Sequence, residues 1–328
     1  MHPARINTPK PGKSFQSKPC IFFVGKEREQ FYAHETMLGA SSVVFRALLD
    51  GPMKESRDGI VYLPEVEPED FDQLLKFFYR DGYDEAEREV ILAEPPHQSA
   101  PVLVIDLTRI EDDDYVPETP IEPPCPHVIP ARLPYSVSEV SKQWEKWKPD
   151  HVDLEQYGSR PPPSPQYTRC QYSCSRSILG CEHKNQYLRM LPFLSLATDL
   201  DKCSDKHWKP QKNRHPYESF RPVFFRHARL YILADMYDVQ ELRELAQYRL
   251  YHTLAEYSMY IERISDLLAL SHELYANTAM GDPIRRMIVY YFLCFSHCPD
   301  LRDCAEYVEA LRSNNDFAAD LVIAMMMF

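Results

Sequence analysis

Residues 20–49 read CIFFVGKEREQFYAHETMLGASSVVFRALL, and the order of elements in this stretch decides the fold. Cys20-Ile21-Phe22-Phe23-Val24 is a short apolar run of β-favouring residues. A polar turn from Gly25 to Glu29 follows, and Gln30-Phe31-Tyr32-Ala33 resumes the extended pattern. Two such runs around a polar turn predict a β-hairpin. His34 to Leu38 then opens a short helical piece. Ser41 stands as an N-cap for a helix over Ser42 to Leu49, since its hydroxyl can accept a free backbone N–H.

Downstream, Ile60-Val61-Tyr62-Leu63 predicts a third strand. Pro68 takes the first position of a helix, where its missing N–H costs nothing, and Glu69 and Asp70 suit the positive end of the dipole. Phe71, Leu74, Leu75 and Phe78 recur at i, i+3, i+4, i+7, the spacing of one buried helix face.

Proline sets the wider organisation. The chain has 328 residues, a net charge of −12, 28 Pro and 9 Gly. Residues 20–83 hold 3 Pro, residues 84–222 hold 19, and residues 223–328 hold 2. Proline breaks helices and removes ladder donors from central strands. The stretch 84–222 therefore reads as a largely disordered or extended insertion without long helices. The flanks 20–83 and 223–328 carry the apolar periodicity and the expected core. The first nineteen residues hold four bases, no acid and no apolar run, so they read as a disordered arm rather than an export signal.

These phrases in this order resemble the BTB/POZ domain: Phe31 to His34, Leu38 to Phe45, Met53 to Ser56, Ile60 to Leu63, and Pro68 to Tyr79. The resemblance implies an α+β fold, a small sheet covered by helices, closed by a helical pair. That pair resumes only after the insertion. His227 to Tyr237 is similar to its first helix, and Val239, Leu242, Ala246 and Leu250 mark its second. The expected division is an arm over 1–19, the domain's first part over 20–83, the insertion over 84–222, the closing helices over 223–251, and a helical extension over 252–328. The form is similar to fungal BTB proteins with long insertions. Many dimeric members carry a swapped helix before the first strand; the Pro-rich arm cannot supply one, so a homo-oligomer would form some other way.

In the extension, Ile261, Ile264, Leu268 and Tyr275 keep helical spacing, Asp282-Pro283 opens a helix to Phe295, and Leu301–Leu311 and Phe317–Met327 make two more. These helices are expected to pack on the domain.

Two segments resemble docking motifs. Met53-Lys54-Glu55 stands where ubiquitin-ligase adaptors of this family present a hydrophobic-x-acidic phrase to a cullin scaffold; the resemblance gives Met53 and Glu55 that role. Residues 102–116 read VLVIDLTRIEDDDYV, inside a stretch from Asp84 to Glu122 with 12 acids and 2 bases. Val104, Ile105, Asp106 and Leu107, followed by Glu111, Asp112, Asp113 and Asp114, resemble a SUMO-interacting motif. An extended apolar peptide can add to a sheet edge, and flanking acids can meet a basic rim. The other expectation for this segment is pairing with the protein's own sheet.

Other chemistries fit less well. A net negative chain lacks the clustered bases that phosphate contacts require, so nucleic acid is not an expected partner. No glycine-rich phosphate cradle, H-E-x-x-H or G-x-S-x-G occurs. Cys170, Cys174, Cys181 and His183 are compressed for a structural zinc site, and reduced thiols are the better reading of the nine cysteines. His34 and His227 read as packing residues. No apolar run approaches ~20 residues, so no membrane span is expected. The sequence thus predicts a non-enzymatic interaction protein of the nucleus or cytoplasm with no cofactor. Its job would be that of a cullin adaptor or, alternatively, of a transcription or chromatin cofactor scaffold.

Overall fold

The computed structural model describes residues 17–51, 57–91, 136–139, 141–142, 182–200 and 208–327. Strands β1 (Pro19–Val24), β2 (Glu29–His34) and β3 (Ile60–Leu63) form a sheet in the order β2-β1-β3. β1 pairs antiparallel with β2, Phe22 opposite Phe31, and parallel with β3, Phe22 opposite Val61. The hairpin turns through Gly25 at φ +75°, a left-handed conformation that glycine adopts without strain. A Cβ there would also stand 3.0 Å from the Pro68 ring.

The pleat sends Cys20, Phe22 and Val24 inward, with Ala33 and Val61 beside them. Helices α1 (Glu35–Ser41), α2 (Val43–Asp50) and α3 (Pro68–Arg80) cover that face. Phe22 meets Phe71 with ring centroids 5.1 Å apart and Phe45 edge-on at 6.2 Å. The cap of α2 is Ser42, one residue later than the sequence suggested. Its Oγ accepts from the Phe45 N–H at 2.9 Å, and its hydroxyl donates to the Tyr237 carbonyl at 2.5 Å. Ser42 is extended and fully buried, so it satisfies two otherwise orphaned groups.

After two short strands, β4 (Glu89–Val90) and β5 (Glu218–Ser219), and a helix between them, α4 (Glu182–Leu200), the chain packs back against α3. Helix α5 (Arg221–Met236) passes between α3, helix α6 (Gln240–Glu256) and helix α7 (Ile264–Asn277). Most of its faces are buried, including those of Arg226 and His227. Phe45 of α2 stacks on Tyr237 at 4.5 Å, joining the first sheet and its helices to the helices that follow residue 220.

Helices α8 (Pro283–Phe295), α9 (Pro299–Arg302), α10 (Ala305–Ser313) and α11 (Asn315–Met327) complete the chain. The Asp282 cap predicted before Pro283 is present, accepting from Ile284 N–H at 2.9 Å. The single helix expected over Leu301–Leu311 is instead two, because Cys304 is extended between them. Arg285 closes the end of α7: its guanidinium donates to the Tyr275 and Thr278 carbonyls, groups a helix terminus leaves free. The tail helices share the core, as expected: α7 packs on α5, and Phe292 of α8 meets Phe317 of α11 at 5.2 Å.

The reading of 84–222 as lacking long helices needs correction. α4 lies inside it and packs against α8 and α6. Met190 and Phe193 are fully buried, and Phe193 stacks on Tyr251 at 4.7 Å. An interior proline costs a helix roughly 3 kcal/mol, and Pro192 sits inside α4. Burial of Phe193, Met190 and Leu196 supplies a gain of about 1.5–3 kcal/mol for each large side chain, enough to outweigh that. α5 begins at Arg221 and α6 ends at Glu256.

Candidate interaction site

The site is built where the chain leaves α3 and where it enters α5. β4 and β5 form an antiparallel clip, Glu89 opposite Ser219, and Ile91 N–H donates to the Tyr217 carbonyl at 2.8 Å. Gln211 donates to the Ala86 carbonyl at 3.0 Å, and Arg88 reaches the Lys212 carbonyl at 2.9 Å and Glu218 at 3.5 Å. Burial opposes ionisation of Glu218, but the Arg214 and His215 N–H groups and Arg88 outweigh it and hold the carboxyl below its usual range. The two ends of the excursion from Ile91 to Tyr217 therefore emerge side by side. Closing so long a loop costs only about 4 kcal/mol of chain entropy beyond a constant, since the cost grows as the logarithm of length.

Residues 136–139 sit against the same end of the domain. Ser136 and Val137 are buried, Ser138 donates to Glu256 at 2.6 Å, and Lys142 Nζ lies 3.3 Å from that carboxylate. Lys212 also pairs with Glu256. Beneath the clip, Asp266 of α7 accepts from the Ser219 hydroxyl and the Phe220 N–H, both at 2.9 Å, and so holds the start of α5.

A polar lock lies under this joint. Tyr83 Oη is 2.7 Å from His227 Nδ1, Thr253 Oγ1 is 3.4 Å from Nε2, and Glu85 Oε1 is 3.6 Å from Nε2. Thr253 spends its proton on the Arg249 carbonyl at 2.8 Å. The imidazole proton therefore belongs on Nε2, with Nδ1 accepting from Tyr83. Arg249 donates to the Tyr83 carbonyl at 2.7 Å and lies over the Tyr83 ring at 4.3 Å and the Trp208 ring at 5.3 Å. Burial pushes the His227 imidazole below its usual value, against the pull of Glu85. With His227 fully buried, this network can brace the joint but cannot meet a substrate. His227 and His34 both pack as read: His34 Nδ1 is 2.8 Å from the Tyr79 hydroxyl.

Burial raises the Cys20 and Cys294 thiols above their usual value and leaves them unreactive. Cys20 is pushed up to about 12, first by burial and then by its hydrogen bond to Glu35. No group of metal-ligating side chains occurs among the described residues. No helix among them is long and apolar enough to cross a membrane.

The motif residues read from sequence are not brought together by the described parts. Met53 and Glu55 lie outside the described residues, in the connection between α2 and β3. Val104, Ile105, Asp106, Leu107, Glu111, Asp112, Asp113 and Asp114 lie outside them too, in the excursion that starts at the clip. Cys170, Cys174 and Cys181 are likewise outside, as is the His183 side chain. Sequence reasoning missed the clip and the lock. For the lock the available signal was His227 near the start of a helix rich in apolar residues; the two-residue strands of the clip offered none.

Comparison with known proteins agrees with the first part of the fold. Residues 16–93 match the family model of the BTB/POZ domain. The chain is similar to Armadillo BTB Arabidopsis Protein 1 of Arabidopsis thaliana, with 45% identity over 72 residues. That match covers 21% of this chain and 10% of the relative, so the chain spans a small part of that protein. No solved structure matches.

Proposed function

Residues 16–93 are a BTB/POZ domain, and from that premise we propose that the chain is a protein–protein adaptor which docks a cullin-type scaffold through Met53 and Glu55. The observation that carries the reading is the domain match, a module that mediates protein interaction, with Met53-Lys54-Glu55 in the connection after α2. The clip supports it, because it fixes the exit and return of the insertion at one end of a braced domain. The insertion carries Val104 to Leu107 and the acid run Glu111 to Asp114, to which we assign capture of SUMO or a SUMO-modified protein. The tail helices extend the surface the domain offers to partners.

Pull-down of a cullin scaffold, with wild type compared with Met53→Ala plus Glu55→Ala, tests the adaptor reading. The wild type is expected to retain the scaffold and the double variant to lose it. A wild type that retains none favours the second reading, a transcription or chromatin cofactor scaffold. For the arm, labelled SUMO titrated with a peptide of residues 100–118 is expected to show saturable chemical-shift changes. A flat titration removes that assignment.

A further inference from the structure

A groove runs between the β3–α3 turn, α5 and α7. Its floor is apolar, made by Val66, Ile232, Leu233 and Met236. Met236 is 55% exposed and lines the groove, so its side chain is open to a partner there. The rim is acidic: Glu65, Glu67, Asp70 and Glu273 stand against one base, Arg229. The volume is about 230 Å³, below the ~300–1,000 Å³ of drug-sized pockets and suited to one or two side chains.

Asp70 is the informative member. It is 8% exposed, lines the groove, and accepts no hydrogen bond among the described residues. Its nearest cation, Arg229, is 4.0 Å away and is already engaged, with Nε 3.5 Å from Glu273 and the guanidinium 5.1 Å over Phe225. A buried carboxylate without a close partner is costly. The start of α3 compensates part of that cost, since Asp70 lies in its first turn.

We propose that this groove docks a peptide segment of a partner protein in which a Lys or Arg stands beside a large apolar residue. The cation meets Asp70 and Glu67, and the apolar side chain lies on Ile232, Leu233 and Met236. The charge of the rim selects a basic partner, and the floor excludes a purely electrostatic one. The inference names a partner chemistry for the adaptor reading and rests on it, but it uses neither the cullin nor the SUMO assignment.

The test is fluorescence anisotropy on the full chain at low salt, with a labelled octapeptide holding one leucine between two arginines among glycines and serines. The wild type is expected to bind saturably. Asp70→Asn and Met236→Glu are each expected to weaken binding at least tenfold, and replacing the peptide's leucine by serine should do the same. Glu87→Gln with Glu262→Gln, exposed and near the opposite ends of α5 and α7, removes two charges and should change affinity less than twofold. Thermal melts establish that each variant is folded. Equal losses from Asp70→Asn and the distant pair, or no loss on removing leucine, would overturn the proposal as mere charge attraction. No saturable binding would also overturn it, while a retained cullin scaffold would leave the adaptor reading standing.

Discussion

Asp70→Asn should stabilise the protein at neutral pH and do nothing for it in acid. Burial pushes the Asp70 carboxyl up to about 6, against the opposing pull of Arg229 and Arg226. An unfolded aspartate titrates near 3.9, so the shift corresponds to roughly 3 kcal/mol disfavouring the folded, ionised state. The α3 dipole returns about 0.3–1 kcal/mol of this, leaving about 2 kcal/mol. Because the folded chain holds this proton longer than the unfolded chain, the Asp70 contribution makes stability fall as pH rises from about 4 to about 6. Asparagine keeps the shape and removes the charge. Urea unfolding of wild type and variant at pH 4.0 and pH 7.5 measures the effect. The variant is expected to gain about 2 kcal/mol at the higher pH and close to nothing at the lower. His227 contributes the opposite slope: its lowered value means stability is lost as pH falls below the usual imidazole range. That slope is common to both proteins and cancels in the difference. A variant that is less stable than wild type at pH 7.5 would refute the reasoning, since Arg229 and the helix dipole would then more than repay the burial.

Other substitutions test the docking of α4 and the join between α2 and the helices after residue 220. Phe193→Ala should cost about 3–5 kcal/mol in urea unfolding, the usual penalty for emptying an aromatic core position, whereas the half-exposed neighbour Leu191→Ala should cost under about 1 kcal/mol. Ser42→Ala should cost about 2–3 kcal/mol by losing the α2 cap and stranding the Tyr237 carbonyl, while Ser41→Ala should be nearly neutral. Asp266→Ala should lower the melting temperature by several degrees, as two donors at the start of α5 lose their acceptor at a typical ~1–3 kcal/mol.

The first part of the fold was legible because its elements are one-sided. β1 is a short β-favouring apolar run followed by a polar turn, and α3 shows a clean stripe at Phe71, Leu74, Leu75 and Phe78, so run length, turn and period identify them. Helix α5 was found through family resemblance; its burial on most sides erases the amphipathic signal that would have identified it. Helix α4 was hidden by Pro192 and by its proline-rich surroundings, although Met190-Leu191-Pro192-Phe193-Leu194 is apolar enough to dock. The clip depends on pairing Glu89 with Ser219, and a two-residue strand carries no periodicity to read. The groove is still less visible. Asp70 looked like an ordinary first-turn acid, and only folding brings Glu273 and Met236 beside it.

The central claim is that a braced BTB domain and the acidic excursion it carries recruit partners by separate contacts. The deletion that tests this must spare the clip, α4 and the buried Val137, so it should remove residues 92–135 alone. Proximity labelling in cells, comparing the full chain, that deletion, and Met53→Ala plus Glu55→Ala, measures it directly. Two sets of labelled proteins are expected, one lost with the excursion and the other lost with the double substitution. The same labelled set from all three chains, indistinguishable from the labelling enzyme alone, would contradict it.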